Sequence, residues 1–270
     1  MQVFVIFGFL CIRRMKIYQQ ILGQGHQTIL FIHGLGSSTL DWEHQVEFFS
    51  KNYKTITVDL RGHGRTGSVE GAYNIHLFAK DVAEILKNEI HPVHIIGISM
   101  GGMVALQLAT DIPERIKSLV IINSYVDFPL DNPEMIKALR KRKLIPKILG
   151  MRIMGLVIGK KLFPRKDQRD LRILMAKRWA KNKVKDYIKS VDAIAGWSII
   201  NDLHKITCPV LVLTAEFDYW SVEEKRAYTT NMPKAKLVVI KSARHGVTME
   251  KPDEVNMAIN KFLNSAFQKI

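Results

Sequence analysis

Apolar runs of strand length alternate with amphipathic stretches of helix length along most of this 270-residue chain. The strand-like runs lie at 29–33, 54–59, 93–98, 118–123, 210–214 and 236–240. A shorter strand precedes them and ends at a glycine-rich turn, 23–25, and helical periodicity is clearest at 77–89 and 100–110. This alternation is typical of a mostly parallel sheet covered by helices on both faces. The sequence therefore predicts an α/β fold.

The alternation stops after Asn123 and resumes only at 207–209. Between them, 127–200 is rich in helical patterns, carries several prolines and has no run typical of a strand. We interpret this stretch as a helical lid inserted into a core formed by 15–126 and 201–270.

The first residues form an apolar stretch of their own. The run 3–12 is followed by Arg13 and Arg14; it is too short to span a bilayer as a helix. It also lacks the preceding positive charge and the small cleavage-site residues of a signal peptide. We predict that 1–14 is an extension of a core that begins at Met15, either a misplaced start or a weak interfacial anchor.

The segment 97–101, Gly-Ile-Ser-Met-Gly, places a serine between the run 93–98 and the helical stretch 100–110. Small residues on both sides of Ser99 permit a turn so tight that the hydroxyl stands clear of the backbone. The helix that follows directs its free N–H groups and positive dipole end toward the same point. This motif in this context predicts that Ser99 is a nucleophile.

A serine hydroxyl needs a base to take its proton and a third group to orient that base. Asp218 and His245 follow the last two predicted strands, so both are expected at the edge of the sheet where Ser99 lies. The order Ser, Asp, His is the one expected of a nucleophile on such a turn. Asp218 is the favoured acid, and Glu216 and Asp127 remain its rivals.

An acyl-transfer site also needs two backbone N–H donors for the negative oxygen that forms during attack. The N–H of Met100, directly after the serine, is one candidate. The second is the N–H of Leu35, because glycines flank it in the segment 33–36, His-Gly-Leu-Gly. His33 is interpreted as structural, since its loop is committed to presenting backbone donors.

These motifs together resemble those of the α/β-hydrolase superfamily, in its lid-bearing form with a serine nucleophile. The resemblance rests on the segments 33–36 and 97–101, on Asp218 and His245, and on 59–66, Asp-Leu-Arg-Gly-His-Gly-Arg-Thr. The Asp and Arg of 59–66 are expected to fix a loop beside the site.

The resemblance covers 16–262 and implies an α/β-hydrolase fold, a Ser-His-Asp triad and acyl transfer to water without a cofactor or a metal. Haloalkane dehalogenases and epoxide hydrolases carry Asp at the position of Ser99, and dienelactone hydrolases carry Cys. The chain is thus expected to be a serine carboxylic-ester hydrolase.

The formal net charge of +15 is concentrated in the predicted lid. The stretch 127–200 holds 19 Lys and Arg against 7 Asp and Glu, a net +12, which leaves only +3 for the rest of the chain. Such a surface is either a solvated helical layer or a positive rim that attracts an anionic substrate, an acidic carrier protein or an anionic surface. The sequence has no zinc finger, RNP-like motif or helix-turn-helix, which argues against nucleic-acid binding.

A basic lid over an apolar interior resembles the pimeloyl-acyl-carrier-protein methyl ester esterases. The motifs at 99–102, Ser-Met-Gly-Gly, and at 251–256, Lys-Pro-Asp-Glu-Val-Asn, resemble those of the 3-oxoadipate enol-lactonases. An acyl ester with an anionic group or carrier is the favoured substrate. A lactone hydrolase, and a small-molecule binding protein that retains the triad without turnover, are the alternatives.

The two cysteines, Cys11 and Cys208, are too few for a disulfide framework and are not spaced with histidines as in zinc sites. A reducing compartment, the cytoplasm, and the absence of a structural metal are therefore expected.

Overall fold

A computed structural model describes residues 16–265, so the predicted extension 1–14 lies outside the described range. The strands are β1 (Gln19–Leu22), β2 (Thr28–Ile32), β3 (Lys54–Val58), β4 (Val93–Ile98), β5 (Ile116–Ile122), β6 (Val210–Phe217) and β7 (Ala235–Arg244). The helices are α1 (Glu43–Phe49), α2 (Ile75–Leu86), α3 (Met100–Asp111), α4 (Pro133–Leu162), α5 (Arg169–Trp179), α6 (Val184–Ile194), α7 (Val222–Thr229), α8 (Val247–Glu250) and α9 (Pro252–Ser265).

The strands form one sheet in the order β1-β3-β2-β4-β5-β6-β7. Only β1 runs antiparallel to its neighbour, β3, and every other pair in this sheet is parallel. The predicted mostly parallel sheet is therefore confirmed. Because parallel strands end at the same edge, the loops after β2, β4, β6 and β7 gather there.

Alternate residues of each central strand face opposite layers of helices. In β2, Leu30 and Ile32 pack in a cluster with residues of α2 and α3, whereas Ile29 and Phe31 pack with residues of α1 and α9. All four side chains are fully buried. Burial on both faces explains why the strand reads as an uninterrupted apolar run.

Strand β7 extends beyond its predicted end at residue 240 and reaches Arg244. Its last part contains polar residues, and the backbone N–H of Ser242 donates to the Glu216 carboxylate at 2.8 Å instead of continuing a regular ladder. The ladder resumes where Phe217 pairs with Arg244. This extension brings His245 directly to the end of a strand.

Helices α4, α5 and α6 are inserted between β5 and β6, which confirms the predicted helical insertion. Helix α4 breaks at Gly150, whose φ of 77° lies in the left-handed region. The two ends of the insertion are joined by backbone hydrogen bonds, from Phe128 N to Trp197 O and from Ile199 N to Val126 O, both 2.9 Å. The sequence showed no strand here because this pairing is only a few residues long.

Within 16–265, no helix has both the length and the apolar character needed to cross a membrane.

The insertion has an apolar cluster of its own, which includes Met154, Ile158, Met175 and Trp179. Leu35, from the loop after β2, packs against this cluster. The insertion is thereby fixed above the edge of the sheet where the candidate residues lie.

His94 in β4 is buried and hydrogen-bonded at both ring nitrogens. Nδ1 lies 2.7 Å from Ser118 Oγ and Nε2 lies 2.9 Å from Gln27 Oε1. Burial, with a smaller effect from the charge of Lys117, lowers the pKa of His94 to about 3. The ring is therefore neutral in the folded protein at neutral pH.

We expect the free energy of unfolding to decrease as the pH falls below about 6.5, the ordinary pKa of histidine. Between that pH and the folded pKa of about 3, the unfolded chain binds a proton at His94 that the folded chain does not. This difference contributes a slope of about 1.4 kcal/mol per pH unit. Urea unfolding between pH 7 and about pH 5 measures how the free energy of unfolding depends on pH. This dependence should be weaker in His94→Gln than in the unmodified protein, by up to about 1.4 kcal/mol per pH unit. Identical slopes would contradict this interpretation.

Candidate active site

The turn between β4 and α3 holds Ser99 in a left-handed conformation, with φ of 55°. A Cβ atom on Gly97 would lie 2.2 Å from the carbonyl oxygen of Gly101. A Cβ atom on Gly101 would lie 2.1 Å from the carbonyl oxygen of Ile32 in β2. Both glycines are thus required by close backbone contacts. Strain of this kind at a non-glycine residue is often found at functional sites.

Two hydrogen bonds fix the backbone of Ser99 against the strand beside it. Its N–H donates to Ile122 O at 2.9 Å, and its carbonyl accepts from Ser124 Oγ at 2.7 Å. The side chain remains half-buried and lines a cavity above the sheet. The serine is therefore rigidly held and accessible.

Asp218, after β6, contacts His245, after β7. Its Oδ1 accepts a hydrogen bond from His245 Nδ1 at 2.5 Å, and its side chain is completely buried. Glu216 instead accepts from the backbone N–H of Ser242, and Asp127 lies in a backbone bridge with Ser198. Of the three acids considered from the sequence, Asp218 is the one that the structure pairs with the imidazole.

Burial alone would raise the pKa of the Asp218 carboxyl. The charge of His245 and its hydrogen bond, together with Lys225, outweigh this effect and lower the pKa. Asp218 is therefore ionised and acts only as an acceptor.

Lys225, on α7, is a partner of Asp218 that the sequence did not reveal. Its Nζ forms an ion pair with Asp218 Oδ2 and donates to Thr214 Oγ1 at 2.7 Å, and its side chain has no exposed surface. Burial lowers the pKa of Lys225, although the charge of Asp218 opposes this effect. In the sequence, the one indication of its burial is its position on the face of α7 that also carries Tyr228 and Thr229. That indication is too weak to identify a buried lysine, because α7 is a polar helix.

The loop after β2 is held by two buried histidines. His33 donates from Nδ1 to Gly34 O at 2.7 Å and accepts the N–H of Leu60 at Nε2, 3.1 Å away. His63 accepts the N–H of Gly36 at 3.1 Å. Burial lowers the pKa of both rings, that of His63 to about 3, so both are neutral. The prediction that His33 is structural agrees with these contacts.

The segment 59–66 fixes the same region. Asp59 accepts the N–H of Thr39 at 2.7 Å and that of Arg65 at 2.8 Å. Arg61 forms two hydrogen bonds with Asp81 of α2, at 2.5 and 2.6 Å. These contacts confirm that this Asp and this Arg support loops beside the site.

The backbone N–H group of Leu35 lies in the loop after β2, and that of Met100 lies in the turn between β4 and α3. A Cβ atom on Gly34 would lie 3.2 Å from Ser99 Cβ, so the first loop approaches the serine closely. Among the described residues, neither the N–H of Leu35 nor that of Met100 has an acceptor. Two N–H groups near Ser99 are thus available to a ligand.

Ser99, His245 and Leu35 line one cavity of about 610 Å³, a size typical of small-molecule sites. Its roof consists of residues of the insertion, and Phe163 packs so closely that a Cβ atom on Gly246 would lie 2.6 Å from its ring. No hydrogen bond within 16–265 joins the Ser99 hydroxyl to His245, a contact that often tightens only when substrate binds. In that same range, no three His, Cys, Asp or Glu side chains converge in a way that could hold a metal ion.

We expect Lys225→Met to lower the free energy of unfolding by about 3 kcal/mol, because it leaves the buried Asp218 carboxylate with one charged partner fewer. Asp218→Asn should cost less in the Lys225→Met background than alone, with a coupling of about 0.5–3 kcal/mol. Urea unfolding of the four proteins measures this coupling. Arg226→Met is the matched control, since Arg226 is exposed on the same helix; we expect a change within about 0.5 kcal/mol. Strict additivity of the first two changes would contradict the buried pair.

Comparison with known proteins agrees with the fold described above. The chain is 26% identical over 258 residues to an (E)-2-((N-methylformamido)methylene)succinate hydrolase of Acinetobacter baylyi, covering 90% of this chain and 92% of that one. It is 24% identical to 3-oxoadipate enol-lactonase 2 of the same organism, with 86% of each chain covered. The crystal structure of the enol-lactonase from Burkholderia xenovorans superposes with a TM-score of 0.84 at 21% identity, over 92% of this chain and 96% of that one. A model of the alpha/beta hydrolase family matches residues 29–258. The predicted α/β-hydrolase fold is thereby confirmed, and the chain belongs to the alpha/beta hydrolase family.

Proposed function

We propose that this hydrolase cleaves a carboxylic ester through an acyl-enzyme, with Ser99 as nucleophile, His245 as base and Asp218 as the residue that orients the base. The observation that carries the proposal is the buried Asp218–His245 pair, which opens onto the same cavity as the strained Ser99 turn. Hydrolysis needs no cofactor in this mechanism.

The reaction begins when Ser99 Oγ attacks the ester carbonyl carbon and its proton passes to Nε2 of His245. Asp218 accepts the hydrogen bond from Nδ1–H, so the lone pair lies on Nε2 and the imidazolium that forms is stabilised. The negative oxygen is bound by the N–H groups of Leu35 and Met100. Each such donor contributes about 10²–10³ to the rate.

The tetrahedral intermediate then collapses, and His245 donates its proton to the departing alcohol. Water attacks the acyl-Ser99 ester, again giving a proton to His245, and the second collapse releases the acid and restores the serine. One ester and one water yield one acid and one alcohol.

For the substrate, we propose an acyl ester with an anionic group or carrier, such as a pimeloyl-acyl-carrier-protein methyl ester. We further propose that 127–200 is a lid over the core formed by 15–126 and 201–270. The concentration of positive charge in 127–200 supports the anionic substrate, and Lys141 and Lys161 line the cavity. Like charges at a cavity rim raise the local concentration of an anionic substrate.

A lactone hydrolase is the second candidate. It is favoured by the similarity over most of the chain to 3-oxoadipate enol-lactonase 2, whose name indicates a lactone substrate. A protein that binds a small molecule on this fold without turnover is a third possibility, and the experiment on Ser99 distinguishes it.

Ser99→Ala should abolish hydrolysis of a p-nitrophenyl acyl ester and labelling by a fluorophosphonate probe, because the attacking oxygen is absent. The loss should reach about 10⁴-fold or more, as for other triad nucleophiles. Ser242→Ala is a matched control, since its side chain is exposed and does not line the cavity that contains Ser99. Full activity in Ser99→Ala would refute the assignment, and saturable ligand binding without product in the unmodified protein would indicate a binding protein.

Salt is expected to raise the KM for an anionic ester, because the Debye length falls from about 10 Å at 0.1 M to about 3 Å at 1 M salt. The KM for a neutral short-chain ester should remain almost constant over the same range. Steady-state kinetics with both esters measure the difference. An equal response of the two substrates would eliminate a role for the positive charge.

A further inference from the structure

Arg142, on α4, lies beside the proposed catalytic imidazole with one aromatic ring between them. Its guanidinium carbon lies 5.9 Å from the centre of the Tyr219 ring. The Tyr219 ring stacks on His245, with ring centres 4.3 Å apart and an interplanar angle of 29°. All three side chains line the cavity that contains Ser99. The cation is therefore within reach of a short substrate chain held at the serine.

This guanidinium has no carboxylate partner among the described residues. Its polar partners are two neutral phenols, that of Tyr187, whose OH lies 3.4 Å away, and that of Tyr219. The two acidic residues that line the cavity are engaged elsewhere: Asp41 pairs with Arg178 at 2.9 Å, and Glu134, largely exposed, lies 3.9 Å from Lys137.

A half-buried arginine remains charged, and partial removal from water is unfavourable unless an anion compensates for it. Two other arginines of the insertion lie near carboxylates, and a third, the half-buried Arg172, donates to two backbone carbonyl oxygens. Arg178 pairs with two carboxylates, of Asp41 and Glu43, and Arg165 lies near those of Asp167 and Glu250. Arg142 has kept its charge inside the cavity without such a partner, which is the arrangement of an anion receptor.

We propose that Arg142 binds a free carboxylate at the far end of the acyl group, so that the substrate is a monoester of a short dicarboxylic acid. This inference rests on the proposed function and selects, within its substrate class, an acyl chain with a free anionic group over one that is attached to a carrier protein. A planar guanidinium can bind a carboxylate through two parallel hydrogen bonds, and such pairs are stronger than bonds between neutral groups.

The carboxylate is placed on the acyl part of the ester and not on the alcohol part, because the two parts stay in the site for different times. The alcohol departs after the first step, whereas the acyl group stays attached to Ser99 until water releases it. A receptor fixed in the cavity wall orients the reacting carbonyl in both steps only if it holds the acyl part. Apolar residues of the insertion, Leu139, Ile145 and Ile158, line the cavity that the intervening methylene groups would occupy.

The test compares mono-p-nitrophenyl adipate with p-nitrophenyl hexanoate, which differ only in the terminal carboxylate. In the unmodified protein, kcat/KM for the adipate ester should exceed that for the hexanoate ester. Arg142→Met keeps an unbranched apolar side chain and should reduce the ratio of the two constants at least about 10-fold, chiefly through the KM of the adipate ester. Arg152→Met, which removes an exposed charge from the same helix, should leave the ratio unchanged. The succinate, glutarate and pimelate monoesters then locate the preferred chain length.

Binding of adipate itself, measured by calorimetry, separates this inference from the proposed function. The unmodified protein and Ser99→Ala should bind adipate, and Arg142→Met should bind it at least about 10-fold more weakly. Arg142-dependent binding without ester turnover would refute the hydrolase assignment and keep the carboxylate site. Hydrolysis of the hexanoate ester with no preference for the adipate ester, or an equal loss of preference in Arg152→Met, would overturn the carboxylate site and leave the hydrolase assignment intact.

Discussion

The backbone at the end of β4 lies so close to its neighbours that Gly97 and Gly101 leave no room for a Cβ atom. A Cβ atom on either glycine would clash with a backbone carbonyl oxygen, in one case of the turn itself and in the other of Ile32 in β2. This packing holds Ser99 at the edge of the sheet, with its backbone bonded to Ile122. Asp218 and His245 follow strands that end at this same edge of the sheet, so their proposed roles depend on the position in which this packing holds the serine.

Buried charge organises the opposite side of the site. Asp218 is completely buried between the imidazole of His245 and the ammonium of Lys225. A carboxylate in that position needs partners to remain ionised, and it has one on each oxygen. Beyond the imidazole, Tyr219 and Arg142 continue the arrangement toward the insertion. One of the many positive charges of the insertion thus lies at a defined place beside the proposed triad.

Much of the fold could be predicted, because buried parallel strands are long apolar runs and the Ser99 motif occurs only in a narrow structural context. Asp218 and His245 were found by their positions after strands. The end of β7 was not, since its polar residues make side-chain bonds in place of an apolar pattern. The short pairing at the ends of the insertion was likewise too brief to show periodicity.

Lys225 and Arg142 could not be found for a different reason. Each belongs to a helix that carries at least one other basic residue, and only the tertiary structure shows which of these cations is buried and what it faces. Charge counted along the sequence located the basic insertion correctly, but it did not distinguish solvated lysines from an arginine that lines the cavity. Such distinctions depend on contacts between residues far apart in the chain.

The proposed mechanism requires a covalent acyl intermediate on Ser99. Rapid acid quench of the protein with mono-p-nitrophenyl adipate, followed by peptide mapping by mass spectrometry, tests it most directly. We expect a burst of p-nitrophenol and an adipoyl group on the peptide that contains Ser99. Continued hydrolysis with that peptide unmodified and no burst, or with the acyl group on another residue, would contradict it.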